Sequence, residues 1–317
     1  MAYMIWYLTK GENKMKDNYL EHIRNEIINT EAKVIVREYK NNLDKLTRNY
    51  NIGKELTLAG KHYGEGIVKK YASILTKEFG KGYKLSELYK MQQFYELIQK
   101  VGAMHRTLTW NHYLKLLPLK DINEINYYIH ITIRGNLSYR KLFERIKSDE
   151  YHRLPPETRD KLETNKKIKT GEEVLNPIIV RTNNLKERFT EKLLQEMIMN
   201  DLPNFLRQLG SGFSFIDREY KVKIGNNFNY IDILLFNIKD NRYCVVELKI
   251  TELRKEYLGQ IKTYMNIVDK EIKKPTHNKT IGILITKEMN NFEVSLIDAD
   301  NVYKTTFKIE LNKSVNI

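Results

Sequence analysis

Apolar residues change their spacing along this chain, and each change marks a predicted element. From Tyr19 to Tyr50 they recur every three or four positions, at Leu20, Ile23, Ile27 and Ile28, then at Val34, Ile35, Tyr39, Leu43 and Leu46. That rhythm predicts a long helix, broken at most once, with Asn51-Ile52-Gly53 expected to end or kink it. A second helix carries Ile67, Tyr71, Ile74, Leu75 and Phe79 on one side, and Gly80 and Gly82 stop it. Ser86 is placed as the N-cap of a third helix running towards Lys100, and Ser138 as the cap of a later one. With Thr107–Leu117 and Asp121–Ile131 these pieces make an all-helical module.

Periodicity is lost after Pro155-Pro156, and no sustained apolar stripe returns until Ile178, so 155–184 reads as a linker. Beyond it, Phe189 to Leu209 is expected to be one helix that Pro203 can kink. The spacing then becomes that of strands: Tyr220–Ile224, Tyr230–Phe236, Tyr243–Ile250, a buried run Thr280–Ile285, and edge strands at Phe292–Ile297 and Val302–Ile309. The expected organisation is a helical domain over 17–154, a linker, and a mixed-sheet domain over 185–317.

Tyr230–Phe236 and Tyr243–Ile250 flank the turn-prone Lys239-Asp240-Asn241-Arg242 and read as a β-hairpin. Both runs are apolar at odd and even positions, as for strands covered on both faces. Asp232, Glu247 and Lys249 interrupt that background. Glu247 and Lys249, two apart, leave the strand on one side. A turn at Lys239-Asp240 sets Asp232 opposite Glu247, and one at Asp240-Asn241 sets it opposite Lys249; in either register the three charges share a small patch. Burying two carboxylates and an ammonium costs several kcal/mol per ion before pairing returns any of it, so stability alone accounts poorly for them. Two carboxylates with a main-chain carbonyl, that of Leu248, and waters suit Mg²⁺, with Mn²⁺ as a substitute. A lysine beside such an ion can hold the attacking water and offset charge on a phosphate.

Charge sharpens the division. The chain carries a net charge of +14, and residues 1–170 hold 32 Lys and Arg against 20 Asp and Glu, while the remainder holds 22 against 20. A basic N-terminal half beside a nearly neutral one fits a nucleic-acid-docking module next to a catalytic one. Within it, Lys90, Gln92 and Gln93 would face DNA if the glycine turn and third helix form a helix-turn-helix-like unit; an ordinary amphipathic helix with a wet face explains them equally. His105, His112 and His130 lack zinc-site spacing and are assigned to packing or capping. No apolar run reaches membrane-span length, Met1–Leu8 is short and lacks a basic leader, and the single Cys244 excludes a disulfide framework. These features predict a cytoplasmic protein without a membrane partner.

Asp232 followed by Glu247-Leu248-Lys249 resembles the Asp…Glu-x-Lys signature of the PD-(D/E)XK nuclease superfamily, with Ile231 where the signature's name has Pro. Gln260 and Tyr264, which share a helix face, are similar to the Gln-x-x-x-Tyr element of its RecB-like branch. The wording FLRQLGSGFSFIDREYKVKIG, YIDILLF, VVELK and EYLGQI resembles YhcG-type bacterial nucleases, and the order of the helical pieces around Trp110-Asn111-His112 resembles the domain that precedes the nuclease in those proteins. The resemblance implies a restriction-endonuclease-like αβββαβ core in an α+β/α/β domain, and a Mg²⁺-dependent DNA endonuclease acting in recombination, repair or defence against mobile DNA. It implies Asp232 and Glu247 as metal ligands, Lys249 as the water-positioning group, Gln260 and Tyr264 as orienting residues, and a further carboxylate from the Phe189–Leu209 helix, Glu196 or Glu191. Homodimers, common in the superfamily, are a further expectation. The rival readings are an idle nuclease core acting as a DNA-binding or assembly module, and an RNA-directed or toxin-like nuclease.

Overall fold

The computed structural model describes residues 18–30, 42–64, 66–164, 166–183, 189–289 and 301–311. The chain forms two compact units, Met1–Ser148 and Asp149–Ile317. Met1–Leu8, the stretch holding Val34, Ile35 and Tyr39, and Phe292–Ile297 lie outside the described residues.

The first unit is helical: α1 (18–30), α2 (Asn42–Tyr63), α3 (Gly66–Phe79), α4 (Leu85–Val101), α5 (Trp110–Leu116), α6 (Ile122–Gly135) and α7 (Tyr139–Lys147). The spaced apolar residues do what their rhythm dictates. Ile23 and Ile27 of α1, Ile52 and Leu56 of α2, Tyr71 and Leu75 of α3, and Leu88 and Met91 of α4 form one buried cluster. Contrary to the expected break, α2 runs unbroken through Gly53. A Cβ there would sit 2.1 Å from the Met91 carbonyl oxygen, so this glycine lets α2 and α4 approach closely instead of ending a helix. Ser86 is also displaced from its expected role. A 3₁₀ turn, Lys81–Tyr83, leads directly into α4, making Lys84 the N-cap and Ser86 the second helical residue. Ser138 does cap α7, accepting from the Lys141 N–H. His112 closes a capping box: its Nδ1 accepts from the Thr109 N–H at 3.0 Å, and its Nε2 lies 2.8 Å from the Leu137 carbonyl oxygen.

The second unit holds α8 (Pro156–Glu163), β1 (Ile178–Thr182), α9 (Glu191–Asn200), α10 (Leu202–Leu209), β2 (Phe213–Ile224), β3 (Asn227–Asn237), β4 (Arg242–Leu248), α11 (Lys255–Ile267), β5 (Ile281–Thr286) and β6 (Val302–Leu311). The strands form one mixed sheet in the order β1-β6-β5-β4-β3-β2, antiparallel across β2–β3–β4 and parallel across β4–β5–β6–β1. Segment 155–184 is therefore no linker here. It contributes α8 and a sheet strand, and its polar groups are tied in. The Gln208 side chain of α10 accepts from the Ile179 N–H and donates to the Ile179 carbonyl, at 2.8 and 2.9 Å, while Arg153 Nη1 donates to Gln208 Oε1 at 2.8 Å. Consequently β6, expected at an edge, lies inside the sheet between β5 and β1. The helix expected over 189–209 is two helices, α9 and α10, parted at Asp201 because Pro203 falls in the first turn of α10, where its missing N–H costs nothing.

Candidate active site

The β3–β4 ladder pairs Ile233 with Val246 and Asn237 with Arg242, leaving the four residues 238–241 as the loop. The same register, continued one step, sets Asp232 opposite Glu247, the first of the two arrangements the turn residues allow. Side-chain geometry agrees. Asp232 Oδ2 accepts from the Leu248 N–H at 2.7 Å, and the Asp232 N–H lies 3.4 Å from Glu247 Oε1. Lys249 Nζ is 3.4 Å from Glu247 Oε2 and 3.8 Å from Glu191 Oε2. Glu247 is 1% and Lys249 9% exposed, so this is a charged group inside the protein. On α11, Gln260 Nε2 donates to the Tyr264 hydroxyl at 3.1 Å, and the buried Tyr264 feels the charges of Glu247, Lys249 and Asp232.

The helix carboxylate at the group is Glu191. Glu196 is exposed on α9, away from the buried stripe of Leu193, Leu194, Met197 and Ile198, and is not brought to it. The i, i+4 partner of Glu191 is Gln195, which sequence reasoning missed. Its buried Nε2 donates to the Asp232 carbonyl at 2.8 Å and so fixes the strand position from which that carboxylate projects. The 3.6-residue period of the apolar positions already separates 191 and 195 from 196. Glu219 was also missed. It lies between the ladder pairs Arg218↔Ile233 and Tyr220↔Ile231, facing Asp232, with φ of 50°, and its charge acts on Asp232. A positive φ inside a strand leaves no trace in sequence periodicity. In the first unit, Lys90 Nζ is held 2.6 Å from Glu87 Oε1, Gln92 is half-buried and Gln93 exposed. Lys90 and Gln93 share a helix face, and Gln92 falls on another.

Residues 172–315 match the family model of the YhcG PDDEXK nuclease domain. Over these residues the second unit carries the YhcG PDDEXK nuclease domain. Residues 22–153 match the DUF1016 N-terminal domain. A relative from Escherichia coli (strain K12), named "Putative nuclease YhcG", is 23% identical over 265 residues, 71% of this chain and 70% of that protein. Among solved structures, a repair endonuclease from Pyrococcus abyssi overlaps 41% of this chain at 17% identity and a TM-score of 0.27. An EndoMS–dsDNA complex overlaps 42% at 20% identity and a TM-score of 0.28. The chain spans about half the length of each of these two.

Within the PDDEXK domain the electrostatics are unbalanced. Burial and the neighbouring Asp232 push the Glu247 carboxyl up to about 8, with Lys249 only partly opposing them. Burial likewise raises Asp232, against the Leu248 N–H and Lys249, with Glu191 and Glu219 adding to the rise. Burial alone would lower the Lys249 ammonium, but Glu247, Asp232 and Glu191 outweigh it and raise it. A single ammonium thus faces an excess of carboxylates at a low-dielectric site. An all-oxygen donor set short of positive charge is the environment a hard divalent cation fits.

Proposed function

We propose that the protein is a divalent-metal-dependent DNA endonuclease that hydrolyses phosphodiester bonds through its PDDEXK domain. One observation carries the reading: Asp232, Glu247 and Lys249 converge from adjacent strands, with Glu247 and Lys249 buried and carboxylates outnumbering the ammonium. Asp232 and Glu247 would hold Mg²⁺ or Mn²⁺, with the Leu248 carbonyl and Glu191 as further donors. The ion, when bound, polarises a phosphoryl oxygen and makes water acidic enough to attack near neutral pH.

The remaining work falls to the chain. Lys249 keeps its proton because three carboxylates favour the charged form, so Nζ is a donor towards the attacking water or a non-bridging phosphate oxygen. The Tyr257 ring, 5.6 Å from Nζ, and Glu191 limit where that ammonium can swing. Gln195 and the Leu248 N–H fix Asp232 from two sides, and Gln260 orients the Tyr264 hydroxyl beside the group. The basic N-terminal domain would supply affinity for the polyanion that does not depend on sequence.

The test incubates purified protein with linear, supercoiled, branched and single-stranded DNA, and with RNA, in Mg²⁺, Mn²⁺ or EDTA, alongside Asp232→Ala and Lys249→Ala. Metal-dependent cutting lost in both variants while binding persists is the expected result. Salt-sensitive binding with no cutting under any condition would sink the enzyme in favour of a binding module.

A further inference from the structure

We propose that the free end of the β2–β3 ribbon is a clamp for unpaired nucleic acid beside the cleavage site, an inference that rests on the nuclease reading above. The β3–β4 ladder stops at Ile233↔Val246, whereas β2 and β3 stay paired out to Ile224↔Asn227. Residues 220–231 therefore form a two-stranded ribbon that extends past the rest of the sheet. One face of it is accounted for: Tyr220, Val222, Ile224 and Ile231 join the core cluster of Leu258, Ile261 and Tyr264 from α11.

The alternate positions form the other face. Ladder pairing sets Lys221 opposite Tyr230 and Lys223 opposite Phe228. Phe228 and Tyr230 are 58% and 52% exposed, and Lys221 Nζ sits 3.8 Å from the centre of the Phe228 ring. Between residues 220 and 231 these two lysines are the only charged residues, and carboxylates resume only at Glu219 and Asp232, at the site itself. Lysines alone could be read as protection of an edge strand against pairing with another chain. That role requires no exposed aromatics across the ribbon from them. Rings that offer a π-face, interleaved with ammonium groups, form a surface on which bases stack while phosphates are neutralised. The position suits such a role, since Asp232 follows Tyr230 by two strand residues, about 7 Å. Stacking requires splayed bases, so the fitting ligand is a single strand or a locally opened duplex.

The test measures fluorescence anisotropy of labelled single-stranded and blunt duplex DNA with the full chain, in EDTA, over a range of salt. Phe228→Leu with Tyr230→Leu, which keeps apolar bulk but removes the rings, should weaken single-strand binding about tenfold or more and duplex binding less. Lys221→Ala with Lys223→Ala should flatten the dependence of log Kd on log salt by about one to two. Circular dichroism melts check that both doubles fold. Wild-type affinity in both, with cutting still lost in Asp232→Ala, would overturn the clamp and leave the nuclease standing. A greater loss for duplex than for single strand would overturn the assignment to unpaired nucleic acid. A wild-type protein that neither binds nor cuts nucleic acid overturns clamp and nuclease together.

Discussion

The two halves of this molecule handle charge in opposite ways. The helical unit belongs to the half with most of the excess positive charge, and it wears that charge outside, on residues such as Lys90, which is half-exposed and paired with the comparably accessible Glu87 one helical turn away. The PDDEXK domain is almost neutral in total, yet it buries Glu247 against Lys249 and holds the half-buried Asp232 beside them. Spread, solvated charge adds long-range attraction and little local energy. Concentrated, buried charge is costly to fold and is where chemistry can be arranged. Net charge therefore indicates where a polyanion would be held, and burial indicates where a bond would be broken.

The comparison breaks most sharply at the buried group. Glu247→Gln is expected to cut the rate of DNA cleavage by roughly 10³-fold, the scale of losing one preorganised electrostatic contact at a reacting centre. The same change should raise the thermal midpoint of the metal-free protein, since it removes a buried carboxylate pressed against another. Calorimetric melts beside single-turnover assays read both effects, and an active Glu247→Gln protein would refute the assignment.

Proton linkage gives the next largest effect. Glu247 holds its proton in the folded state up to about pH 8, whereas unfolded it releases it near the ordinary carboxylate value of 4.5. Between those values the native state binds more protons than the unfolded one, so its stability falls as pH rises, by on the order of a few kcal/mol. Urea titrations of metal-free protein should show the decline from pH 5 to pH 8, and Glu247→Gln should flatten it. A divalent ion competes with those protons, so Mg²⁺ should stabilise more at pH 8 than at pH 5. Equal stabilisation at both would argue against carboxylate ligation.

In the helical unit the large effects lie in packing. Gly53→Ala is expected to cost about 1–3 kcal/mol, because its methyl group would meet the Met91 carbonyl. Gly60→Ala, in the same helix with nothing within 4 Å, should stabilise by about 0.5–1 kcal/mol. Chemical denaturation of the two variants separates a glycine needed for close approach from one that is merely tolerated. Smallest of all, Lys90→Ala should change stability by less than about 0.5 kcal/mol, with a slight loss of salt-sensitive DNA binding.

Sequence reading succeeded where a short-range rule governs the outcome. Side-chain alternation was enough to bring Glu247 and Lys249 together, and an even loop added Asp232. It failed where the deciding partner is distant in the chain. Ile178–Thr182 is five residues long and follows a charged stretch, so nothing local distinguishes it from a linker until β6 is seen beside it. Gly53 looked like a helix breaker because the helix that crosses it lies thirty-eight residues further on, at Met91. The choice between Glu191 and Glu196 was within reach: the buried stripe of α9 separates them by phase alone.

The pairing of Ile178 with Phe307 has a consequence for synthesis. On a ribosome, the helical unit is synthesised whole before the sheet strands emerge and can fold while elongation continues. The nuclease sheet cannot: β1 emerges long before β6, the strand that separates it from β5. Until then β1 has no strand partner among the described residues and β5 an open side, so the newborn chain passes through an interval with unpaired strand edges, in which premature termination would release an unfinished, adhesive sheet.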